Sequence, residues 1–224
     1  MTDRPILLTY RFRKGDTLRY RITIDSLIES ATAAFPPETI RMEMEIVQRS
    51  LGERGQGIVA LSCTTQKARM TRAGESRNLP QGEMQLLLRR TGEVVESRGN
   101  LEGSRWGGGH PAFPERPVSL GEEWEGKSTV SNAESPDILV ITRHRLEALE
   151  SLGNYECARI LAWSDSGPIQ AESRQEFSIK ISTVTHFAYK EGRMVRSVVQ
   201  TQTLTRLSPE EQITTRSTMT CELV

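Results

Sequence analysis

Apolar and polar residues alternate at a period of two along most of the chain. Leu18, Tyr20, Ile22 and Ile24 interleave with Arg19, Arg21, Thr23 and Asp25, and Ile40, Met42, Met44 and Ile46 interleave with Arg41, Glu43 and Glu45. Successive side chains of a strand point to opposite faces, so each run predicts a strand with one dry and one wet face. Near the carboxyl end Ile213, Met219, Cys221 and Leu223 share one parity while Thr214, Arg216, Thr218, Thr220 and Glu222 share the other, in a segment rich in β-branched threonine. Turn-forming clusters punctuate the runs at Arg13-Lys14-Gly15-Asp16, Leu51-Gly52-Glu53-Arg54-Gly55, Arg90-Thr91-Gly92-Glu93 and Lys190-Glu191-Gly192-Arg193. The pattern predicts an all-β protein built on antiparallel sheet with one solvated side. Helix is a minority reading, confined mainly to 83–90 and 146–152.

The chain also reads as a duplication. Lys14-Gly15-Asp16-Thr17-Leu18 matches Leu120-Gly121-Glu122-Glu123-Trp124, and Leu51-Gly52 matches Leu152-Gly153. Thr91-Gly92-Glu93-Val94-Val95-Glu96-Ser97 matches Glu191-Gly192-Arg193-Met194-Val195-Arg196-Ser197, and the three offsets are 106, 101 and 100 residues. A shared order at a nearly shared offset marks a repeated unit. The expected organisation is a first β unit at 1–98, a Gly/Pro-rich crossover loop at 99–116 and a second β unit at 117–224. The two similar antiparallel units are expected to curl into a half-barrel or open barrel. The crossover carries Trp106-Gly107-Gly108-Gly109-His110-Pro111-Ala112-Phe113-Pro114. Flexible linkers are ordinarily Gly/Ser-rich without aromatics, so Trp106 and Phe113 predict an anchored loop that plugs the apolar face of the sheet.

Composition narrows the function classes. With 224 residues, 36% of them hydrophobic, the chain can bury a sizeable core. Lys+Arg and Asp+Glu both total 29, which removes the basic excess that draws a protein onto phosphate backbones, so no nucleic-acid partner is expected. No apolar stretch approaches the ~20 residues of a spanning helix. The run Ile6-Leu7-Leu8 is too short for a secretory h-region. Cytoplasmic residence is therefore the expectation, with the mature form of an envelope protein as the alternative. Cys63, Cys157 and Cys221 lack the paired spacing of a metal knuckle or disulfide framework, and reduced, partly buried thiols are expected.

The sharpest motif is Gly121-Glu122-Glu123-Trp124-Glu125-Gly126-Lys127-Ser128, which satisfies the Gly-x-x-x-x-Gly-Lys-Ser pattern of phosphate-cradling loops. Such a loop needs a buried strand before it and a helix after it, so that backbone N–H groups converge on the anion. Arg116-Pro117-Val118-Ser119-Leu120 is too poor in apolar residues for the strand, and the stretch after Ser128 reaches Pro136 within about two turns. Residues 127–131 are expected to continue a strand, which leaves the nucleotide-binding reading third in rank. His110, His144 and His186 stand at no ligand spacing, so no metal site is expected. There is no Gly-x-Ser-x-Gly elbow and no assembled acid, base and nucleophile, so an enzyme is not expected, nor a cofactor. Trp106, His110, Phe113 and Trp124 are the candidate ligand-binding residues, with Trp163 as a further aromatic of the same kind. Large aromatics fill the space between sheet faces or line an apolar cavity.

The string Phe113-Pro114-Glu115-Arg116-Pro117-Val118-Ser119-Leu120-Gly121-Glu122-Glu123-Trp124 resembles the start of the second half in duplicated, β-rich, uncharacterised bacterial proteins, many of them lipoprotein-like. Phe187-Ala188-Tyr189-Lys190-Glu191-Gly192-Arg193-Met194-Val195 is similar to the final hairpin of those proteins. The resemblance implies a fold and supplies no catalytic residues. The leading functional expectation is a non-catalytic binding or scaffold module acting through a sheet face or edge, with a protein partner or a second copy of the chain. The alternative is a carrier that holds an apolar or amphipathic small molecule in a concave sheet.

Overall fold

The alternating runs fold as strands. A computed structural model describes residues 4–32, 35–99, 110–132, 135–170, 176–208 and 210–224. The strands of the first half are β1 (Thr17–Ser30), β2 (Glu38–Glu53), β3 (Ile58–Arg72), β4 (Glu75–Asn78), β5 (Glu83–Arg89) and β6 (Val94–Gly99). Those of the second half are β7 (Glu123–Asn132), β8 (Ser135–Leu152), β9 (Tyr155–Gln170), β10 (Glu176–Ala188), β11 (Arg193–Arg206) and β12 (Gln212–Leu223). All belong to one antiparallel sheet in the order β6-β5-β3-β2-β1-β12-β11-β10-β9-β8-β7, with β4 attached to β3. The sheet is thus a single meander running from β7 to β12 and on from β1 to β6, joined where Tyr20 faces Leu223 and Ser30 faces Ile213.

The two stretches that carry the minority helix reading are strands, and each for a definite reason. In β5 the buried Met84, Leu86 and Leu88 keep a strict period of two. In β8 the register slips between Leu146 and Ala148. That bulge brings Leu146 and Leu149, three residues apart, to one face as a helix would, whereas Leu152 packs beside Cys157 on the other.

The sheet curls without closing into a barrel. Eleven strands lie on its continuous path, so its two end strands, β6 and β7, run in the same direction. Joining them would require a parallel pair in an otherwise antiparallel ladder. The curl is filled instead by the chain itself. The amino-terminal arm and the crossover pair with each other, Ile6 N–H to the Val118 carbonyl at 2.9 Å and Val118 N–H to the Ile6 carbonyl at 2.8 Å. Leu8 and Tyr10 from the arm, and Phe113 and Val118 from the crossover, pack in one cluster with Leu61, Leu86 and Leu88 from one flank of the sheet and Trp124, Leu146 and Ile160 from the other. This plug covers one end of what is here called the inner face.

Glycines let the plug approach the sheet. Gly92, with φ of 92°, lies so close to the crossover that a Cβ would stand 2.3 Å from the Pro111 carbonyl oxygen and 2.7 Å from the Tyr10 ring. Gly192, with φ of 70°, meets the arm in the same way, a Cβ falling 2.7 Å from the Arg11 backbone nitrogen. The opposite face carries polar and charged side chains in register across seven strands: Arg159, His186, Arg196, Glu222, Arg21, Glu45 and Lys67 occupy one row from β9 to β3. Arg196 Nε stands 3.1 Å from Glu222 and Lys67 Nζ 3.6 Å from Glu45. Exposed pairs of this kind add little stability each, yet their row keeps that face wet. Gly92→Ala is expected to destabilise the fold by roughly 2–3 kcal/mol, from strain at positive φ and the collision with Pro111. Gly153→Ala, at φ of 59° with no atom near the new methyl, should cost about 1–2 kcal/mol, the backbone strain alone. Thermal unfolding of the two variants compares them directly.

Candidate functional site

Three of the four residues singled out from sequence come together, and Trp106 lies outside the described residues. Phe113 is buried against Phe187 at a ring separation of 4.6 Å and against Tyr10 at 5.3 Å. His110 meets the Tyr10 ring edge-on at 5.3 Å. Trp124 donates its indole N–H to the Ala112 carbonyl at 2.8 Å and stacks on His144 at 5.5 Å. These side chains are packed together as the plug and its seat. Trp163 is not with them: it faces Arg143 and Ser182 in the ladder, which puts it half-buried on the opposite face. The three cysteines are free and buried, and burial pushes the Cys63 thiol up to about 12.

The Gly-Lys-Ser octet has a structural explanation. Gly121, with φ of 79°, makes the turn before β7, and the Glu122 carboxylate accepts the Ser119 N–H at 2.8 Å and pairs with Arg116. Those two interactions hold Glu122 below the usual carboxylate range. Gly126 leaves room for the His144 ring, because a Cβ there would stand 2.8 Å from His144 Nε2. Lys127 and Ser128 continue β7, paired with Ile141 and Val140. A strand commits its N–H groups to the ladder and cannot aim successive ones at a phosphate as a helix N-terminus does. Among the described residues no group of three or more His, Cys, Asp or Glu could hold a metal ion.

Past the plug, the inner face remains apolar. One row crosses nine strands: Met70, Met42, Ile24, Met219, Val199, Thr183, Ala162, His144 and Trp124 are successive ladder partners from β3 to β7. Its β7 end is buried under the plug, whereas Met70, Met42, Ile24, Met219, Val199 and Thr183 are only half-buried. The next row outward is mixed. Ile40, Ser26, Ser217, Thr201 and Ile181 follow one another, with Ser26 and Ser217 hydrogen-bonded at 2.8 Å. The inner face therefore grades from an aromatic plug through a methionine-rich band to hydroxyl groups. On the opposite face a trough of about 780 Å³ is lined by Asp25, Arg41, Lys180, Gln200, Gln202 and Arg216 among others. Its cations are engaged, Arg41 with Asp25 and Glu43 and Arg216 with Glu29.

The methionine band was missed from sequence because it needs the register. Alternation alone places Ile24 with Ile22, and Met42 with Met44, each on its own strand. Bringing Met70 and Met219 beside them takes the long-range pairing of β3 and β12, which no local pattern encodes.

No protein-family model and no curated protein matches the chain. Among solved structures it is similar to one described as "Lipid-protein interactions in lipovitellin", with a TM-score of 0.54 at 9% sequence identity, over 96% of this chain. The chain spans 25% of the length of that lipovitellin chain. At this identity the likeness is one of fold. No helix among the described residues is long and apolar enough to cross a membrane.

Burial makes the plug sensitive to acid. It lowers both His110 and His144 from 6.5 to about 4, so both rings are neutral in the fold at physiological pH. Because the unfolded chain binds these protons more readily, stability is complete above about pH 6.5 and is lost as pH falls from there towards 4, by about 2–3 kcal/mol per histidine. The lowered carboxylates Glu38 and Glu122 act in a separate window below about 4.5. Urea unfolding across pH 4.5–7 should therefore show a slope that the His110→Phe/His144→Phe double variant flattens. An unchanged slope would assign the acid sensitivity to other groups.

Proposed function

We propose that the protein is a non-catalytic carrier that holds an apolar or amphipathic small molecule against the inner face of its sheet. The observation that carries this reading is the half-covered band Met70, Met42, Ile24, Met219 and Val199, continuous with the packed core yet beyond the plug. Contiguous apolar surface on a soluble chain marks a binding site. Three of these five side chains are methionine, whose flexible, polarizable thioether adapts to ligands of different shape. Ser26, Ser217 and Thr201 border the band with groups suited to a polar end. The similar lipovitellin structure, described in terms of lipid–protein interactions, supports the reading by analogy of fold. A protein partner or second copy added to the edge of β7 is the second reading, favoured by a ten-residue end strand of the sheet.

We also propose that the two halves arose by duplication, as in the lipoprotein-like proteins the sequence resembles. Equivalent turns support it. Gly15 N–H bonds to the Ser50 carbonyl at 2.9 Å while Asp16 accepts the Arg13 N–H, and Gly121 N–H bonds to the Leu146 carbonyl at 2.7 Å while Glu122 accepts the Ser119 N–H. The plug contacts are reciprocal too, with the segment leading into β1 resting on Gly192 and the segment leading into β7 resting on Gly92.

The carrier reading predicts a face-specific effect. Met219→Glu should weaken binding of the neutral apolar dye Nile red by at least about tenfold, since a carboxylate beside a ligand chain must be desolvated. Thr218→Glu, one residue away on the opposite face, should leave dye affinity within about twofold. Equal effects from both variants, or no dye binding by the unmodified protein, would refute the assignment.

A further inference from the structure

We infer that the ligand is an uncharged amphiphile whose hydroxyl or carbonyl head is seated between Gln48 and Thr65, where the plug ends, with its chain laid along β2 and β1 towards Ile40. This rests on the carrier reading. Elsewhere on the inner face buried hydroxyls have partners: Thr185 and Ser197 share a hydrogen bond of 3.1 Å, Ser164 donates to the Ile141 carbonyl at 2.9 Å, and Tyr20 donates to the Met194 carbonyl at 3.2 Å. Gln48 Oε1, Thr65 Oγ1 and Tyr10 Oη have none. The three residues are 4%, 3% and 1% exposed, so bulk solvent does not reach them. A buried polar atom without a partner is destabilising, and a native protein that retains several invites a functional explanation.

Gln48 and Thr65 belong to one place, and Tyr10 shares the core cluster beside them. Gln48 opposes Cys63 and Ile46 opposes Thr65, which makes Gln48 and Thr65 diagonal neighbours on the inner face, about 7–8 Å apart. Tyr10 packs in the cluster that contains Cys63 and against which Ile46 lies. The chemistry of the set selects the head group. Gln48 Oε1 can only accept, while the Thr65 and Tyr10 hydroxyls can donate or accept, so a hydroxyl could donate to the first and accept from the others. The ladder neighbours on this face, Leu18, Tyr20, Ile46, Cys63 and Met84, carry no charge at neutral pH. Arg193 is close enough to act on Tyr20, but none of these ladder neighbours supplies a counter-ion, so an ionised head between Gln48 and Thr65 would be poorly compensated.

The chain has an equally definite course. Met44, Met42 and Ile40 follow Ile46 along β2, beside Ile22, Ile24 and Ser26 of β1. Six residues of strand span roughly 20 Å at ~3.3 Å per residue, a length suited to a long acyl chain. The orphaned atoms are without solvent contact, so entry of the head requires the half-buried Met44 and Ile46 side chains to move.

The test uses two probes of one chain length, monoolein with its neutral head and oleate ionised at pH 8, titrated calorimetrically into the full chain below their aggregation concentrations. Monoolein should bind at least about tenfold more tightly than oleate. The Gln48→Leu/Thr65→Val variant should lose about tenfold of its monoolein affinity, change by less than about threefold for oleate, and melt no lower than the unmodified protein, because the replacements remove unpaired polar atoms. Oleate binding as tightly as monoolein, or a folded variant that keeps full monoolein affinity, would overturn the head-group assignment while leaving the carrier reading intact. Binding of neither probe would overturn both. Should the variant fail to fold, the comparison of the two probes on the unmodified protein decides by itself.

Discussion

A strand that alternates apolar and polar residues must have its apolar face covered along its whole length or leave part of it to water, and in this sheet the cover is shorter than the strands. β1 alone has 14 residues and β8 has 18, so the strands run roughly 45–60 Å at ~3.3 Å per residue. The plug reaches over only one end of them. Everything distinctive about the inner face follows from that mismatch: a tightly packed aromatic cluster at the turn end, a half-covered methionine band next to it, and hydroxyls beyond. The other constraint is the odd number of strands on the path, which prevents antiparallel closure and leaves the curl to be held by what fills it.

The plug is held by close approach together with backbone hydrogen bonds, Tyr10 N–H to the Arg90 carbonyl, Arg11 N–H to that of Gly192 and Phe113 N–H to that of Thr91. Tyr10 touches Phe12, His110, Phe113 and Phe187, and Gly92 and Gly192 remove the side chains that would keep the two incoming segments at a distance. Burying this many rings requires His110 and His144 to stay neutral, so the same packing that stabilises the closed end makes it vulnerable to acid. The opposite face carries ion pairs in register and a small apolar cluster of Cys157, Ala188 and Val195 near its turn end.

Much of this was legible in the sequence, and the rest was not for physical reasons. The alternation around Leu18 to Ile24 and Ile40 to Ile46 encodes strands and faces locally, and the aromatics of the Gly/Pro-rich crossover foretold that it would be anchored. The helical spacing at Leu146 and Leu149 misled because a bulge changes parity without changing composition. Trp163 could not be separated from Trp124, since which face a residue serves depends on the register of its neighbours. The same dependence hid Met70, which the β2–β3 register sets beside Met42, and Met219, which the β1–β12 pairing, across more than a hundred residues of chain, sets beside Ile24. Gly126 and Lys127 look like a phosphate loop because the regular expression carries no information about the His144 ring that Gly126 accommodates.

Methionine oxidation reads the central mismatch directly, because the chain places its methionines on both sides of the plug boundary. Met42, Met70 and Met219 are half-buried in the open band, and Met84 and Met194 are buried at the closed end. Under dilute peroxide, followed peptide by peptide by mass spectrometry, the first three should oxidise well ahead of the other two. Oxidation of all five at one rate, or protection of Met42 and Met219 equal to that of Met84 in protein stripped of small molecules, would contradict an inner face left open beyond its plug.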